Sequence, residues 1–297
     1  MKRGILLAAA AYSCWGFVPL YWRLLEKVPA LQLLGHRIVW SFLALLIVIL
    51  VMRQWKTFQR EALSIRIFLI YLIAAVLIGI NWLTYVWAVN AGHVIETSLG
   101  YFMNPLLSML LGVIFFREQL RLWQWIPIGL ATLGVVYLTI AHGSLPWIAL
   151  TLAFSFALYG VLKKIAPLGS LFGLMLETSI MVIPATAYLI IADKTGTGAF
   201  LHMGTINDLL LVGAALITTI PLLMFASAAQ KIPLSLIGIL QYISPTLQFL
   251  CGVVILGEKF TFTQSIGYGI VWIALIIFGL ESFSAYRARS VATAEME

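Results

Sequence analysis

Long apolar runs follow one another along most of the sequence, and each can cross a bilayer as a helix. Cutting the chain at charges and turn residues leaves ten runs of roughly 17 to 25 residues, the length that a membrane-spanning helix needs. Helices satisfy their own backbone polar groups, which lipid cannot do. The sequence therefore predicts an all-α membrane protein with spans at residues 4–25, 31–52, 67–89, 95–116, 123–141, 145–162, 170–191, 209–229, 234–256 and 264–283.

Composition excludes a soluble globule and offers no reactive centre. Hydrophobic residues make up 62% of the chain and charged residues 10%, too little polar surface to coat a domain of this length. Cys14 and Cys251 lie in apolar runs without C-x-x-C spacing, and the histidines share no spacing. No Walker-type glycine motif is present. We therefore expect no enzyme, no metal and no cofactor, and energy from gradients rather than ATP.

Basic residues lie in short clusters between the apolar runs, so the net charge of +7 indicates membrane orientation and not nucleic-acid binding. With a cytoplasmic N-terminus, thirteen Lys and Arg lie on the cytoplasmic side and three on the other. We expect an uncleaved first helix and both termini in the cytoplasm. The cytoplasmic set is Lys2, Arg3, Arg53, Lys56, Arg60, Arg66, Arg117, Arg121, Lys163, Lys164, Lys231, Arg287 and Arg289, and the opposite set is Lys27, Lys194 and Lys259.

A segment of the fourth run recurs 140 residues later. YFMNPLLSMLLGVIFFREQL at residues 101–120 corresponds to QYISPTLQFLCGVVILGEKF at residues 241–260. The second copy lies on the ninth span, five spans after the first, and because five is odd the two copies cross the membrane in opposite directions, as in many secondary transporters. The sequence thus predicts two inverted five-helix repeats, residues 1–141 and 142–283, and a cytoplasmic tail, residues 284–297.

Each copy contains a proline and a polar stripe. Pro105 and Pro245 have no N–H to donate, so we expect each helix to bend or open there. A bilayer tolerates such a break only beside protein or a water-filled cavity. The polar residues lie at i, i+3 and i+7 on one face, and although contact between helices is an alternative role, their repetition favours a cavity lining. They are Tyr101, Asn104 and Ser108, and Gln241, Ser244 and Gln248.

Other spans extend the predicted cavity wall. Asn81 and Tyr85 are one turn apart on the third span, whereas neighbouring Trp87 is better explained as an interfacial anchor. Trp15 of the first span and Tyr159 of the sixth are equally consistent with bounding the cavity and with packing. Because few fixed charges lie near this wall, we expect a small substrate that is uncharged or zwitterionic and amphipathic or aromatic, rather than a polyanion.

Opposite charges occupy equivalent positions of the two repeats. Arg37 in the second span and Glu177 in the seventh are 140 residues apart. A charge at bilayer depth costs about 2.5 to 3.5 kcal/mol on insertion scales and is rarely left without a partner. An ion pair or separate hydrogen bonds between helices, a gating or proton-coupling role, and direct substrate contact are all open. The candidate gating or coupling residues are these two charged residues, Arg37 and Glu177, and the two prolines of the repeated segment, Pro105 and Pro245. The proton is the candidate coupling ion.

Four motifs carry a family resemblance: SLGYFMNPLLSMLLGVIFFREQL, LPWIALTLAFSFALYG, LLGHRIVWSF and GINWLTYVWAVN. The sequence resembles the RarD group of the EamA family, in the drug/metabolite transporter superfamily, over essentially all ten spans. The resemblance implies two inverted five-helix repeats, with helices 1 to 4 and 6 to 9 around a central cavity and helices 5 and 10 peripheral. It also implies a permease, usually an exporter of small metabolites or drugs, in a bacterial inner membrane.

Two alternative functions stay open at this point. A membrane sensor or scaffold would need extra soluble surface, whereas the longest piece between spans, residues 192–208, is short and Gly-rich. A sugar- or nucleotide-type permease of the same fold is the other.

The glycines of the peripheral spans bear on the oligomeric state. Gly129 with Gly134 and Gly269 with Gly279 do not match the tighter small-residue dimer motif, so we expect a monomer or loose dimer in lipid.

Cysteine labelling in intact cells tests the predicted orientation. A membrane-impermeant maleimide added outside should label a cysteine placed at Thr197 but not one placed at Gln54 or Arg121, because the charge asymmetry puts the latter two in the cytoplasm. Labelling of a cysteine at Gln54 or Arg121 without labelling of one at Thr197 would indicate the opposite orientation in the membrane.

Overall fold

The computed structural model describes residues 1–62, 64–91, 93–120, 122–142, 147–255 and part of 266–277. Regular structure in these residues is helical throughout, and nine of the ten predicted spans fall on described helices. The tenth, residues 264–283, lies mostly outside the described residues, and the tail, residues 284–297, lies wholly outside them. The helices are α1 Lys2–Leu24, α2 Ala30–Val51, α3 Trp55–Ala62, α4 Ile65–Asn90, α5 Val94–Phe116, α6 Leu122–His142, α7 Trp147–Ile165, α8 Ser170–Lys194, α9 Thr205–Ala229, α10 Leu234–Gln241 and α11 Ile243–Leu250, followed by a π-helical turn, Cys251–Ile255.

Membrane-length helices dominate the described chain. Large apolar side chains such as Val51, Ile140 and Ile183 are more than 70% exposed, which water would penalise and lipid does not. Among the described residues, seven segments are long and apolar enough to cross a membrane: Lys2–Leu24, Ala30–Val51, Ile65–Ala88, Trp147–Ile165, Ser170–Lys194, Thr205–Ala229 and Leu234–Ile255, with Gly100–Phe116 as a shorter apolar helix.

Eight helical segments, with α10 and α11 counted as one, form a closed ring in which the two halves of the chain alternate. In order around the ring, α1 packs against α9, α9 against α2, α2 against α8, α8 against α4, α4 against α7, α7 against α5, and α5 against α10, while α11 returns to α1. Each segment therefore lies between two helices of the other half. Helix α6 packs on the outside against α5, and the short helix α3 lies against α8.

Glycines allow close contact at several joints of this ring. A Cβ on Gly16 of α1 would lie 2.5 Å from Leu247 of α11, and one on Gly238 of α10 would lie 2.6 Å from the carbonyl oxygen of Pro105 in α5. Gly173 of α8 packs in the same way on α4. Lipid tails are as apolar as the side chains, so helices associate in membranes through close packing, which small residues permit.

The two repeated prolines differ in their effect on the backbone. Helix α5 runs without interruption from Val94 to Phe116, so of the two predicted effects of Pro105, bending or opening, the helix does not show the opening. The second copy is interrupted at Tyr242, between α10 and α11. There the carbonyl of Gln241 lacks its usual donor because Pro245 has no N–H. Only the second copy therefore shows a break in its helix.

Replacing Gly173 by alanine should lower the free energy of unfolding by about 1 to 3 kcal/mol. Its Cβ would lie 2.7 Å from Cε1 of Tyr71, and this ring is held by two 3.2 Å hydrogen bonds between its hydroxyl and the backbone of Leu168. Gly169→Ala is the matched control, since no atom lies within 4 Å of its added Cβ. Equal melting temperatures of the two variants in detergent would contradict this packing.

Candidate functional site

A cavity of about 140 Å³ lies inside the ring of helices. On α4, α5 and α7 the residues that line it lie in the halves nearest the α4–α5 turn, so the cavity is displaced toward that end of the bundle. The lining consists of Tyr12, Trp15, Val18, Pro19, Trp22, Arg37, Asn81, Trp82, Tyr85, Gly100, Tyr101, Asn104, Leu152, Phe156, Ile217, Thr218, Leu222, Gln241, Ser244, Pro245 and Gln248.

Most of the predicted polar stripe faces this cavity. Four residues predicted as cavity or gating residues lie outside its lining. The Ser108 hydroxyl is buried one turn along α5, where it donates to Oδ1 of Asn104 at 3.5 Å. Pro105 is buried in α5, and Tyr159 and Glu177 lie between α7 and α8. The structure brings together Trp15, Asn81, Tyr85, Tyr101, Asn104, Gln241, Ser244 and Gln248, with Arg37 and Pro245 beside them.

Amide side chains tie the cavity wall together. Asn81 Nδ2 donates to the carbonyl oxygen of Leu152 at 2.8 Å and to Ser155 Oγ at 3.0 Å, which joins α4 to α7. Gln248 Nε2 donates to the carbonyl oxygen of Trp15 at 3.1 Å, which joins α11 to α1. Because buried polar groups are costly when unpaired, these bonds fix the positions of both amides. Asn81 and Gln248 therefore hold neighbouring helices together and also line the cavity.

Arg37 supplies the cavity with a cation. Its Nε donates to Thr218 Oγ1 at 2.9 Å, and its guanidinium lies 5.1 Å from the ring centre of Trp22 and 4.8 Å from that of Trp82. Each cation–π contact contributes about 0.5 to 2 kcal/mol. Among the described residues, no carboxylate forms an ion pair with this side chain. Arg37 is therefore held by two indoles and a hydroxyl.

Glu177 pairs with a different cation. Its carboxylate accepts hydrogen bonds from Lys163 Nζ at 2.7 Å and from the Tyr159 hydroxyl at 2.9 Å. Both charged side chains are almost fully buried, with 2% and 0% exposure. Arg37 and Glu177 are therefore not each other's partners, although their positions in the repeats correspond.

Lys163 was missed by sequence reasoning. The KK pair at the end of the sixth span predicts a cytoplasmic loop, whereas the structure continues α7 to Ile165 and buries Lys163 inside the bundle. One signal in the sequence could have identified it. Lys163 follows Tyr159 by one helical turn, so the two side chains share a face and both reach Glu177.

Glu118 closes the opposite end of the bundle. Its carboxylate accepts hydrogen bonds from the backbone N–H groups of Leu234 at 2.7 Å and Ser235 at 2.8 Å, in the first turn of α10. It thereby satisfies donors that a helix N-terminus leaves unpaired. Lys164 Nζ lies 3.5 Å from Glu118 and donates to the carbonyl oxygen of Ile232 at 2.7 Å. We call these five residues the Glu118 clasp.

The clasp joins the ends of α5 and α7 to the start of α10. Gly112 gives it room, because a Cβ there would lie 2.7 Å from Glu118 Oε2 and 2.9 Å from the Ser235 nitrogen. Arg117, which precedes Glu118, adopts the left-handed conformation with φ 52° and ends α5. Glu258, the counterpart of Glu118 in the repeat, lies outside the described residues.

The chemistry of the cavity is that of binding. The described residues of its lining offer indoles, phenols, amides, hydroxyls and one guanidinium, and none of them is a His, Cys, Asp, Glu or Lys. Over the described part of the chain, no three His, Cys, Asp or Glu side chains are grouped so that they could hold a metal ion. These groups can orient a molecule through hydrogen bonds and aromatic contact.

Comparison with known proteins identifies the family. The model of the EamA-like transporter family matches residues 2–140 and again residues 145–280. The chain belongs to this family. It is 43% identical to an "Uncharacterized transporter" of Vibrio cholerae over 97% of this chain and 95% of that protein. It is also 41% identical to "Protein RarD" of Escherichia coli, over 97% of this chain and 98% of that protein. This EamA-like transporter falls in the RarD group.

A solved structure shares the fold. A protein crystal structure that is 15% identical in sequence superposes with a TM-score of 0.68, over 93% of this transporter and 96% of that chain. The apolar helices and the bacterial transporters among its relatives make this chain a multi-pass protein of a bacterial inner membrane. As a membrane transporter it binds a small-molecule substrate and lipid.

The buried pair between α7 and α8 predicts a double-mutant result. Lys163→Met should lower the free energy of unfolding by about 3 to 5 kcal/mol, because it leaves the carboxylate of Glu177 buried without its cation. Adding Glu177→Gln should restore most of this stability, since a neutral amide can still accept from Tyr159. Thermal and denaturant unfolding in detergent measures both.

Lys231→Met is the control, because Lys231 is exposed and bonds only within its own helix end, to Ser227. Its substitution should change the free energy of unfolding by about 0.5 kcal/mol or less. A double variant as unstable as Lys163→Met alone would show that the Glu177 charge is not what the lysine balances.

Proposed function

We propose that this transporter is a secondary-active permease that exports a small amphipathic molecule by alternating access. The observation that carries the proposal is the asymmetry of the bundle: the cavity lies toward the α4–α5 turn, while the Glu118 clasp joins three helices at the other end. An exported molecule must pass the clasp to reach the cavity and must then leave at the cavity end. Transport therefore requires the clasp to open and the cavity end to close.

The cavity wall favours a compact amphipathic or aromatic cargo. The rings of Trp15 and Phe156 lie 6.0 Å apart, and those of Tyr85 and Tyr101 lie 5.8 Å apart, so the cavity has extended aromatic surfaces. A volume of about 140 Å³ is below the roughly 300 to 1,000 Å³ of pockets for drug-sized ligands. Sugar phosphates and nucleotides call for several cations, whereas the described residues of this lining supply one, Arg37.

Glu177 is the proposed carrier of a coupled proton. It is fully buried beside Lys163 and Tyr159, away from the cavity. Protonation would neutralise the carboxylate and remove its charge attraction to the Lys163 ammonium, which would weaken the contact between α7 and α8. Lys164, the next residue on α7, belongs to the Glu118 clasp. Protonation of Glu177 and opening of the clasp would therefore both change contacts of α7. If the protein has the membrane orientation that the distribution of Lys and Arg predicts, the clasp lies at the cytoplasmic face.

Cysteine accessibility tests alternating access without a known substrate. In a background with Cys14 and Cys251 replaced by alanine, a cysteine at Val18 reports on the cavity. Glu118→Gln keeps the side-chain size but removes one acceptor oxygen from α10, and loss of a cap costs about 0.5 to 2 kcal/mol. Labelling of the Val18 position from the cavity end should therefore fall about 2- to 30-fold, and labelling from the clasp end should rise.

Two controls accompany this measurement. A cysteine at Thr197, in the loop after α8, should label equally in both proteins, and Glu61→Gln, an exposed acid on α3, should leave the Val18 labelling unchanged. Unaltered labelling of the Val18 position in a folded Glu118→Gln protein would contradict alternating access through this clasp.

A further inference from the structure

The cavity contains a cation whose terminal donors are unused. Among the described residues, Arg37 has one hydrogen-bond partner, Thr218, which accepts from Nε at 2.9 Å. Trp22 and Trp82 contact the guanidinium through cation–π interactions, which are not hydrogen bonds. Both terminal nitrogens therefore keep their donors. Arginine presents such donors in a planar fork that matches the two oxygens of a carboxylate.

The fork is held in a fixed orientation. The Thr218 hydroxyl donates to the carbonyl oxygen of Ala214 at 2.9 Å, so its oxygen is left to accept from Arg37. The two indole rings, 5.1 Å and 4.8 Å from the guanidinium carbon, limit its rotation. A donor pair that is already oriented loses little freedom when a ligand binds. This geometry suits recognition of one anionic group.

Two further polar atoms of the same lining have no hydrogen-bond partner among the residues that the structure describes. Within the described part of the chain, the hydroxyl of Tyr12 and Oε1 of Gln241 are buried without a hydrogen bond, and the two residues are 1% and 6% exposed. Native proteins rarely leave such atoms unsatisfied, so each calls for an explanation. Oε1 of Gln241 can only accept, so its partner must carry an N–H or O–H group.

We propose that Arg37 is the subsite for a single carboxylate of the cargo and that Gln241 accepts from a hydroxyl or N–H group elsewhere on the same molecule. This inference rests on the proposed permease function and names its substrate class: a small monocarboxylate with an aromatic or apolar body and one separate donor. Several negative charges would exceed the one cation that the described lining residues supply, and a purely cationic cargo would be repelled by Arg37.

Three probes with one skeleton test the proposal. 4-Hydroxyphenylacetate, 4-hydroxyphenylacetamide and tyramine share a ring and a hydroxyl donor, but carry a carboxylate, a neutral amide and an ammonium group. Binding to purified protein in nanodiscs is measured through tryptophan fluorescence, because Trp22 and Trp82 flank the subsite. The carboxylate should bind roughly tenfold or more tightly than either analogue.

Variants locate the effect at the predicted atoms. Arg37→Gln should remove the preference for the carboxylate, and Arg37→Lys, which keeps the charge but loses the fork, should retain part of it. Gln241→Leu should weaken 4-hydroxyphenylacetate toward the affinity of phenylacetate, which lacks the hydroxyl. Lys231→Gln, at an exposed helix end, is the control and should bind like the wild type.

The outcomes separate this inference from the permease proposal. Equal or tighter binding of the amide or amine, binding of none of the three probes, or a carboxylate preference that survives in folded Arg37→Gln protein would each overturn it. If Arg37→Gln does not fold, the wild-type comparison of the three probes decides. Accessibility of a cysteine at Val18 requires no ligand, so alternating access can hold while the carboxylate subsite fails.

Discussion

Close contact between the two halves of the chain is the constraint on which the structure depends. Every segment of the eight-membered ring packs between two segments of the other half, so neither half forms the bundle alone. In lipid this packing cannot rely on the hydrophobic effect between helices. It relies on glycines such as Gly16 and Gly238 and on polar side chains that bond across joints, such as Asn81 and Gln248. The cavity is the space that this ring encloses.

The charged residues of the bundle have separate tasks. Arg37 faces the cavity and is held by neutral groups, whereas Glu177 is buried between helices with Lys163. Glu118 acts at a third place, where its carboxylate satisfies the N-terminus of α10. A buried pair of opposite charges stabilises little in itself but is costly to break, so the proposed protonation of Glu177 would have a large effect on the contact between α7 and α8. The unused N–H donors of Arg37, in contrast, are available to bind an anionic group of a ligand.

Sequence reasoning succeeded where one helix decides the answer. Apolar length predicted the spans, and the i, i+3, i+7 spacing predicted that Tyr101 and Asn104 share a face, which lines the cavity. It failed where the answer depends on contacts between distant segments. The burial of Lys163 requires that α7 extend past its apolar run, and the bond from Glu118 to Leu234 joins residues 116 positions apart. Proline chemistry alone likewise could not predict that α5 stays helical.

Distance measurements across the Glu118 clasp can show whether this end of the bundle opens. Spin labels at Arg117 and Lys231, two exposed residues on either side of the clasp, report the separation of the end of α5 from the start of α10. Alternating access predicts a distance distribution in nanodiscs with a short, clasped population and a longer, open one, and predicts that Glu118→Gln moves protein from the first to the second. A single distribution that is the same in wild-type and Glu118→Gln protein would contradict the account.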